Sequence, residues 1–495
     1  MGQAVDKHHF CAADFERFAQ CLEQDIEALA CLLDKPDFGV GPCSLGAELE
    51  LYLVDHCGHP QPFNKHFQKL ANDPLLTLEL NRFNLEYNLS PVPAAGTPFT
   101  AIHRQLNEKL AELRHIAAPT DTRILAIGIL PTLRQSDFGL ANMTDEPRYH
   151  ALSQRLDELK QDPFYIHIDG AEPLKLHTDF LTLEGANTSF QVHLRVNPKE
   201  FVDHYNAIQL VTPIALGLAA NSPTLLGHRL WHETRITLFK QSIDYRDRHS
   251  NHWRPPARVG FGCGWARKSP LELFSSSARQ FPVMMPVDYH ESPLTDIQQG
   301  KTPALSSLRL HQGTVWNWNR PVYDPVAEGH LRIELRALPA GPTPLDMMAN
   351  AAFCIGMAVG LQDQLEDHLV ALPFEHARYN FYRSAQHGLN AQLVWPSGPH
   401  GQLQEIPLTT LATKMLPVAE RGLATLGITT AEIALYLDPI RMRLTHQQNG
   451  AIWQLKILSQ LEQSLSRHDA LHQMLWRYYE QQQIGTPVAQ WSSEL

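Results

Sequence analysis

The sequence has no Cys-x-x-Cys pair, and its seven cysteines, Cys11, Cys21, Cys31, Cys43, Cys57, Cys263 and Cys354, are an odd number. That removes the zinc ribbon and the disulfide framework from consideration, and reduced thiols are expected. Long hydrophobic runs are missing too. The most apolar stretch, Met347 to Leu361, contains Asn350 and falls short of the roughly 18 residues a membrane span needs, so a buried helix is expected there. The first residues, MGQAVDKHHF, lack the apolar segment of a secretion signal, and Asp6 stands where a myristoylation motif carries Ser or Thr. A cytoplasmic protein without a membrane partner is the expectation. Nor is there excess positive charge: 41 Lys and Arg against 52 Asp and Glu leave a formal charge of -11. Phosphate-backbone affinity comes from clustered Lys and Arg, so nucleic acid is excluded as a partner and small molecules are expected, with a homo-oligomer left open. No G-x-S-x-G elbow, internal repeat or low-complexity tract occurs, so serine-hydrolase chemistry and a repeat array have no support.

What is present is a chain of 495 residues, 43% hydrophobic, long enough for a large core. Phe15, Phe18, Leu22, Ile26, Leu29 and Leu33 recur at helical intervals from His9, which predicts an amphipathic helix ended by the Gly- and Pro-rich segment Pro36 to Pro42. From Leu45 the period changes to two and continues in segments separated by helices, predicting an α+β fold whose mostly antiparallel sheet carries helices on one face. One helix follows Thr97-Pro98 and another Thr343-Pro344, each a cap with a first-turn proline. A buried helix between Tyr205 and Gly227 is expected to break at Pro213 and stop at Asn221-Ser222-Pro223. Leu408 to Gln483 reads as helical, and Gly485 to Leu495 as a loose tail. The expected division is an N-terminal helix over 1–40, a catalytic domain over 41–380 and a helical cap over 381–495.

Four strand-like stretches share an unusual polar face. In Gly46 to Leu53, alternation places Ala47, Leu49, Leu51 and Leu53 on one side and Glu48, Glu50 and Tyr52 on the other. In Leu76 to Ser90, Thr77, Glu79 and Asn81 and then Asn84, Glu86 and Asn88 oppose the apolar residues, with a turn or bulge near Arg82-Phe83. Gln191, His193 and Arg195 share a face in Thr188 to Val196, as do Arg332, Glu334 and Arg336 in Leu331 to Leu338. Like carboxylates side by side repel. Divalent cations relieve that repulsion, and magnesium favours a few carboxylates plus substrate phosphates. The alternative is that these strands are not neighbours and their acids simply meet water.

E-x-E on a first strand, Glu79 and Glu86 seven apart, Gln191-x-His193, and R-I-E-x-R at Arg332 to Arg336 together resemble the glutamate–cysteine ligase family, in particular its bacterial second group of carboxylate-amine ligases. Asn221-Ser-Pro-Thr-Leu-Leu-Gly-His-Arg229 followed by Arg235 is similar to that family's N-S-P…G-x-R segment, and the resemblance covers about Gly41 to Phe353. It implies a bowl-shaped sheet related to that of glutamine synthetase, with helices on the convex face and ATP, magnesium (or manganese) and an amino acid in the concavity. Carried over by position, Glu48, Glu50, Glu79, Glu86 and Glu334 would bind metal, with Gln191 or His193 adding a ligand. Glu48, Glu86 and Arg336 would meet the nucleotide; Arg336 and Glu334 would be catalytic; Arg229, Arg235 and Arg332 would hold the substrate. Relatives often carry His-x-His or His-x-Asn where this chain has Gln191-x-His193.

The activity implied is ATP-dependent joining of a carboxylate such as the γ-carboxylate of glutamate to an amine such as cysteine, through an acyl phosphate, a step of glutathione biosynthesis. A ligase for another amine, a guanidino kinase on the same sheet and a non-catalytic nucleotide-binding relative are the rivals. Glu334→Gln is expected to abolish turnover with the fold intact, a polar-face residue having no core to pack.

Weaker signals remain. Gly260, Gly262 and Gly264 end a basic stretch from Arg246 and read as a loop at the bowl's rim rather than a phosphate cradle, since no strand-glycine-helix order surrounds them. Trp316 and Trp318 line a pocket or pack the core. Asp137 to Arg148 is a lid or a solvated loop. His56-Cys57-Gly58-His59 reads as a turn, since no second ligand pair lies at zinc spacing.

Overall fold

The computed structural model describes Val5 and residues 9–249, 253–397 and 401–494. The period-two stretches form a seven-stranded sheet from β1 (Ser44–Val54), β2 (Leu76–Leu78), β3 (Asn84–Pro93), β4 (Arg123–Leu125), β5 (Phe190–Val196), β6 (Asn319–Asp324) and β7 (His330–Leu335). The order is β6-β7-β5-β1-β3-β2, with β4 on the last residues of β1, and every pairing is antiparallel. The sheet curls into a half-barrel. The expected break near Arg82-Phe83 is the turn between β2 and β3.

The apolar face turns toward helices. Ala47, Leu49, Leu51 and Leu53 on β1, Val192 and Leu194 on β5, and Leu331, Ile333 and Leu335 on β7 are all buried. Behind them lie α2 (Pro98–Ala117), α4 (Phe201–Ala219) and α5 (Pro344–Gly360). The helix α1 (Ala12–Leu33) follows the predicted stripe, and α3 (Pro147–Leu159) stands beside the concave face. In α5 every residue from Asp346 to Val359 is buried, as its composition required, and no single helix among the described residues is long and apolar enough to cross a membrane.

Four helices complete the chain: α6 (Leu408–Thr425), α7 (Thr430–His446), α8 (Gly450–Leu461) and α9 (Arg467–Ile484). They share the core with the sheet rather than resting on it. Leu49, Met347, Leu411 and Ile440 belong to one apolar cluster, and Tyr52, Leu125, Trp453 and Met474 to a second. Arg443 on α7 and Asp346 on α5 form a buried ion pair of 2.8 Å.

Local expectations fail where tertiary contacts outweigh local rules. The helix α4 runs through Pro213 without a break, because every residue from Tyr205 to Ala219 is buried and that packing outweighs one lost backbone hydrogen bond. Thr97 does not cap α2; Glu432 of α7 does, accepting from Phe99 N at 2.6 Å and Thr100 N at 3.1 Å. Before the C-terminal helices there is an antiparallel hairpin, β8 (Gln392–Pro396) and β9 (Leu403–Pro407), which buries Leu393 and Trp395. The tail is docked rather than loose: Val488 and Trp491 are buried, Val488 N donates to Asp346 at 3.0 Å, and Gln448 donates to the carbonyls of Val488 and Trp491 at 2.9 Å. Trp491→Ala is therefore expected to lower unfolding stability by about 3–5 kcal/mol; an unchanged urea midpoint would contradict the docking.

Candidate active site

Strand register brings distant acids together. Glu50 on β1 stands directly opposite Glu86 on β3, and Glu86 opposite Thr77 on β2. Glu48 is paired with Gln191 on β5, His193 with Glu334 on β7, and Glu334 with Arg320 on β6. These side chains line the concave face, and with Glu79 and Glu184 they enclose a cavity of about 670 Å³. The three-residue 3₁₀ turns before α3 lead into the opposite wall, where Glu146, Arg148 and Tyr149 line the cavity. Of the expected lid, only this last part faces the site.

Two electrical regions result. At one end, burial would push the Glu48 and Glu334 carboxyls up, but the nitrogen groups beside them prevail. His193, with Nε2 3.1 Å from Glu48 Oε1, holds Glu48 down at about 2. Glu334 accepts from Arg320 Nε at 2.5 Å and Nη2 at 3.0 Å and from Arg336 Nη1 at 2.7 Å, so it stays well below the usual carboxylate range. At the other end no cation compensates fully. Burial, with Glu48 and Glu50 nearby, pushes Glu86 up to about 8. Burial and Glu50 push Glu184 to about 8. Burial and three acidic neighbours raise Glu79 well above its ordinary value. Glu50 is also raised by burial, although Ser189 N donates to it at 2.6 Å and Arg336 is near.

The repelling end makes stability depend on pH in a definite sense. An unfolded chain releases glutamate protons near pH 4.3, whereas Glu86 and Glu184 keep theirs to about 8 in the folded protein. The folded state then binds more protons, so this stabilisation is complete below the unfolded value and lost as pH rises through the folded one. For the metal-free protein the urea midpoint should fall between about pH 6 and about pH 9, and magnesium should restore it at the upper end. A midpoint flat across that range would contradict the raised carboxyls.

The donor set fits a cation. His193 is 5% exposed, and neither ring nitrogen has a hydrogen-bond partner in suitable geometry. One ligand atom each from Glu48, His193 and Glu334 lies within 4.8 Å of the others. Gln191 is differently engaged: its amide donates to Glu50 at 2.9 Å and its oxygen accepts from Arg336 Nη1, so it aligns those two groups. Glu334 also departs from expectation, because it is buried between two guanidiniums. Glu334→Gln should lower stability by roughly 3–5 kcal/mol, the consequence of leaving buried charges short of a partner; a wild-type melting profile would contradict this.

The arginines divide. Arg336, Arg332 and Arg320 line the cavity with Arg148, and Arg332 pairs with Asp324 at 3.3 Å. Arg229 is elsewhere, fixed to Glu172 at 3.1 Å and to Glu462 of α8. Arg235 lies beneath the floor, 2.7 Å from buried Glu233, and donates at 2.6 Å to the carbonyl of Ala337, next to Arg336. The Asn-Ser-Pro segment belongs to the same buried network: Asn221 Nδ2 donates to Ala340 O at 2.9 Å and Ser222 Oγ to Glu233 at 2.6 Å. Neither Arg229 nor Arg235 is among the residues that line the cavity.

Sequence reasoning did not find Glu184, Arg148 or Arg320. Glu184 stands in a 3₁₀ stretch, Leu181–Ala186, where neither period applies. Gly185 lets that stretch approach Asn81, since a Cβ there would lie 2.5 Å from the Asn81 amide nitrogen. Arg320 was legible only through its strand pairing. Trp316 lines the cavity, whereas Trp318 is buried against Phe239 and Phe381. Gly260, Gly262 and Gly264 border a smaller cavity of about 230 Å³ with Lys240, Arg246 and Arg378. Gln312 and Arg320 line both cavities.

The curled antiparallel sheet carries carboxylates and arginines on its concave face, and the family whose model matches the chain makes it a carboxylate-amine ligase. The chain belongs to glutamate–cysteine ligase family 2, whose model matches residues 44–472, well past the Phe353 at which the recognisable motifs end. Among solved structures, it is similar to glutamate–cysteine ligase from Francisella tularensis in complex with AMP, at 13% identity and TM-score 0.50, with 89% of each chain covered. It is also similar to a bifunctional glutathione synthetase from Pasteurella multocida, at 12% identity and TM-score 0.47, covering 92% of this chain and 54% of that one. No curated protein matches the sequence.

Proposed function

We propose that this protein is an ATP- and magnesium-dependent ligase that activates the γ-carboxylate of glutamate, or a similar carboxylate, and joins it to an amine such as that of cysteine. With that pair of substrates it acts in glutathione biosynthesis, in the cytoplasm. The observation that carries this reading is the convergence of Glu48, Glu50, Glu79, Glu86 and Glu184 on one cavity that Arg320 and Arg336 also face. A binding module gains nothing from so many mutually repelling carboxylates, while a phosphoryl-transfer site needs them to hold cations.

A carboxylate oxygen of the substrate attacks the γ-phosphorus of ATP, the bond to the bridging oxygen breaks, and ADP leaves. The amine nitrogen then attacks the acyl carbon, a C–N bond forms, phosphate departs, and the amine gives up a proton. Magnesium, when bound, neutralises charge on the phosphate oxygens and orients the triphosphate. Glu48, Glu50, Glu79, Glu86, His193 and Glu334 would hold it. Glu334 fixes Arg320 and Arg336 in place, and Arg336 presents a planar donor fork to the transferred phosphoryl group. Gln191 keeps Arg336 and Glu50 in register, and Arg332 is positioned to meet a substrate carboxylate.

The test offers glutamate, ATP and magnesium with a panel of amines and follows ADP release. Release dependent on both the carboxylate and one amine is expected. ADP formation driven by a guanidino compound would favour a kinase, and magnesium-dependent ATP binding without turnover a non-catalytic relative.

A further inference from the structure

A second group of metal-ligating side chains lies outside the basin. His59 belongs to the loop after β1, and His468 and His472 stand one turn apart on α9. Ring centroids are 4.4 Å apart for His468 and His472 and 4.9 Å for His59 and His472. One ligand atom from each lies within 4.8 Å of the others. The turn at His56 to His59 thus does have a second ligand pair, supplied from the far end of the chain.

Hydrogen bonding orients all three rings. His472 Nδ1 lies 2.6 Å from the carbonyl of Cys57, which can only accept, so Nδ1 carries the proton and Nε2 the lone pair. That Nε2 is buried and has no hydrogen-bond partner. His468 Nδ1 is 3.3 Å from the Asp469 carboxylate, while the Asp55 carboxylate lies 3.7 Å from His59 Nδ1, beyond hydrogen-bond distance. The Nε2 atoms of His59 and His468 both receive Arg134 Nη2, at 2.8 Å and 2.6 Å. A guanidinium nitrogen only donates, so both imidazoles face it with lone pairs. The lone pairs of His59 and His468 therefore converge on one cationic nitrogen, and the His472 ring packs against both rings with its Nε2 unpartnered. Carboxylate or carbonyl acceptors on the other ring nitrogen are the usual means of fixing histidine ligands to a metal.

We infer that His59, His468 and His472 form a binding site for a borderline divalent transition-metal ion of the zinc class, which replaces the Arg134 guanidinium. Three neutral imidazoles suit zinc and its neighbours and not magnesium, which demands oxygen, so this site and the basin select different ions. Tetrahedral zinc with Zn–N near 2.1 Å places its ligand nitrogens about 3.4 Å apart, so the rings close by little more than about 1 Å. Arg134 is exposed and free to swing away, leaving the fourth position to water. The bound ion fastens the loop at the end of β1, the strand that carries Glu48 and Glu50, to the C-terminal helix α9. None of this rests on the ligase reading.

The experiment titrates zinc, and cobalt as its coloured substitute, into the full-length metal-free protein with magnesium in excess. The wild-type protein should bind one equivalent more than the double variant H468A/H472A, gain a tetrahedral cobalt absorption that the variant lacks, and melt at a higher temperature with zinc. Arg134→Ala should tighten binding and His468→Asn should weaken it at least about 10-fold. His468 is exposed, so the Asn variant keeps the test valid even if the double variant melts early. Equal zinc stoichiometry in the wild type and both variants, or an unchanged cobalt spectrum, would overturn the site.

Discussion

Arg336→Lys is expected to lower the turnover number about 100- to 1000-fold, the loss typical of removing one preorganised donor to developing charge. Arg336 sits at a junction, bonding Glu334 Oε1 at 2.7 Å and Gln191 Oε1 through the same nitrogen. Its remaining donors form the planar fork that can meet two phosphate oxygens. Lysine keeps the charge and loses the fork, so it cannot hold Glu334, Gln191 and a phosphoryl group together. The effect should fall on turnover, with the KM for ATP changing little, because the contact strengthens in the transition state. Steady-state ADP release, with melting curves as a control, measures it. Wild-type turnover in this variant would remove Arg336 from the site.

Glu86→Gln should separate stability from activity. Glu86 faces Glu50 across the β1–β3 pair, and its Oε1 accepts from Thr77 at 3.2 Å and Asn88 at 3.1 Å. An amide oxygen still accepts both bonds, while the charge that repels Glu48 and Glu50 disappears. The metal-free variant should therefore be more stable at about pH 8, by ~1 kcal/mol. Magnesium-dependent turnover should fall at least about 100-fold, since a charge that serves only the cation has gone. Chemical denaturation and ADP release report the two effects. A variant as active and no more stable than the wild type would show that Glu86 is an ordinary solvated carboxylate.

Much of the site was legible because a strand has a strict period. Once Leu49, Leu51 and Leu53 are assigned to the core, Glu48 and Glu50 have one direction to face, and the same holds for His193 and Glu334. The register that opposes Glu50 to Glu86 is a tertiary fact, and no single stretch contains it. Arg229 and Arg235 misled for the complementary reason. Their spacing says nothing of partners: Glu172 and Glu462, distant in sequence, take Arg229 into ion pairs, and Glu233, two residues away, takes Arg235 into a buried one. Glu184 escaped notice in a stretch with no period, and Pro213 and Thr97 obeyed packing partners rather than local rules. The tail followed its apolar residues, Val488 and Trp491, instead of its position at the chain's end.

Calorimetric titration of ATP, with and without magnesium and at about pH 7 in two buffers of different ionisation enthalpy, tests the central claim most directly. Carboxyls such as Glu86 and Glu184, held up to about 8 by burial and by one another, must release protons when cations enter among them. ATP should bind only with magnesium, and binding should release protons to the buffer. Binding of equal strength without magnesium, or no proton release, would contradict a basin built to hold cations.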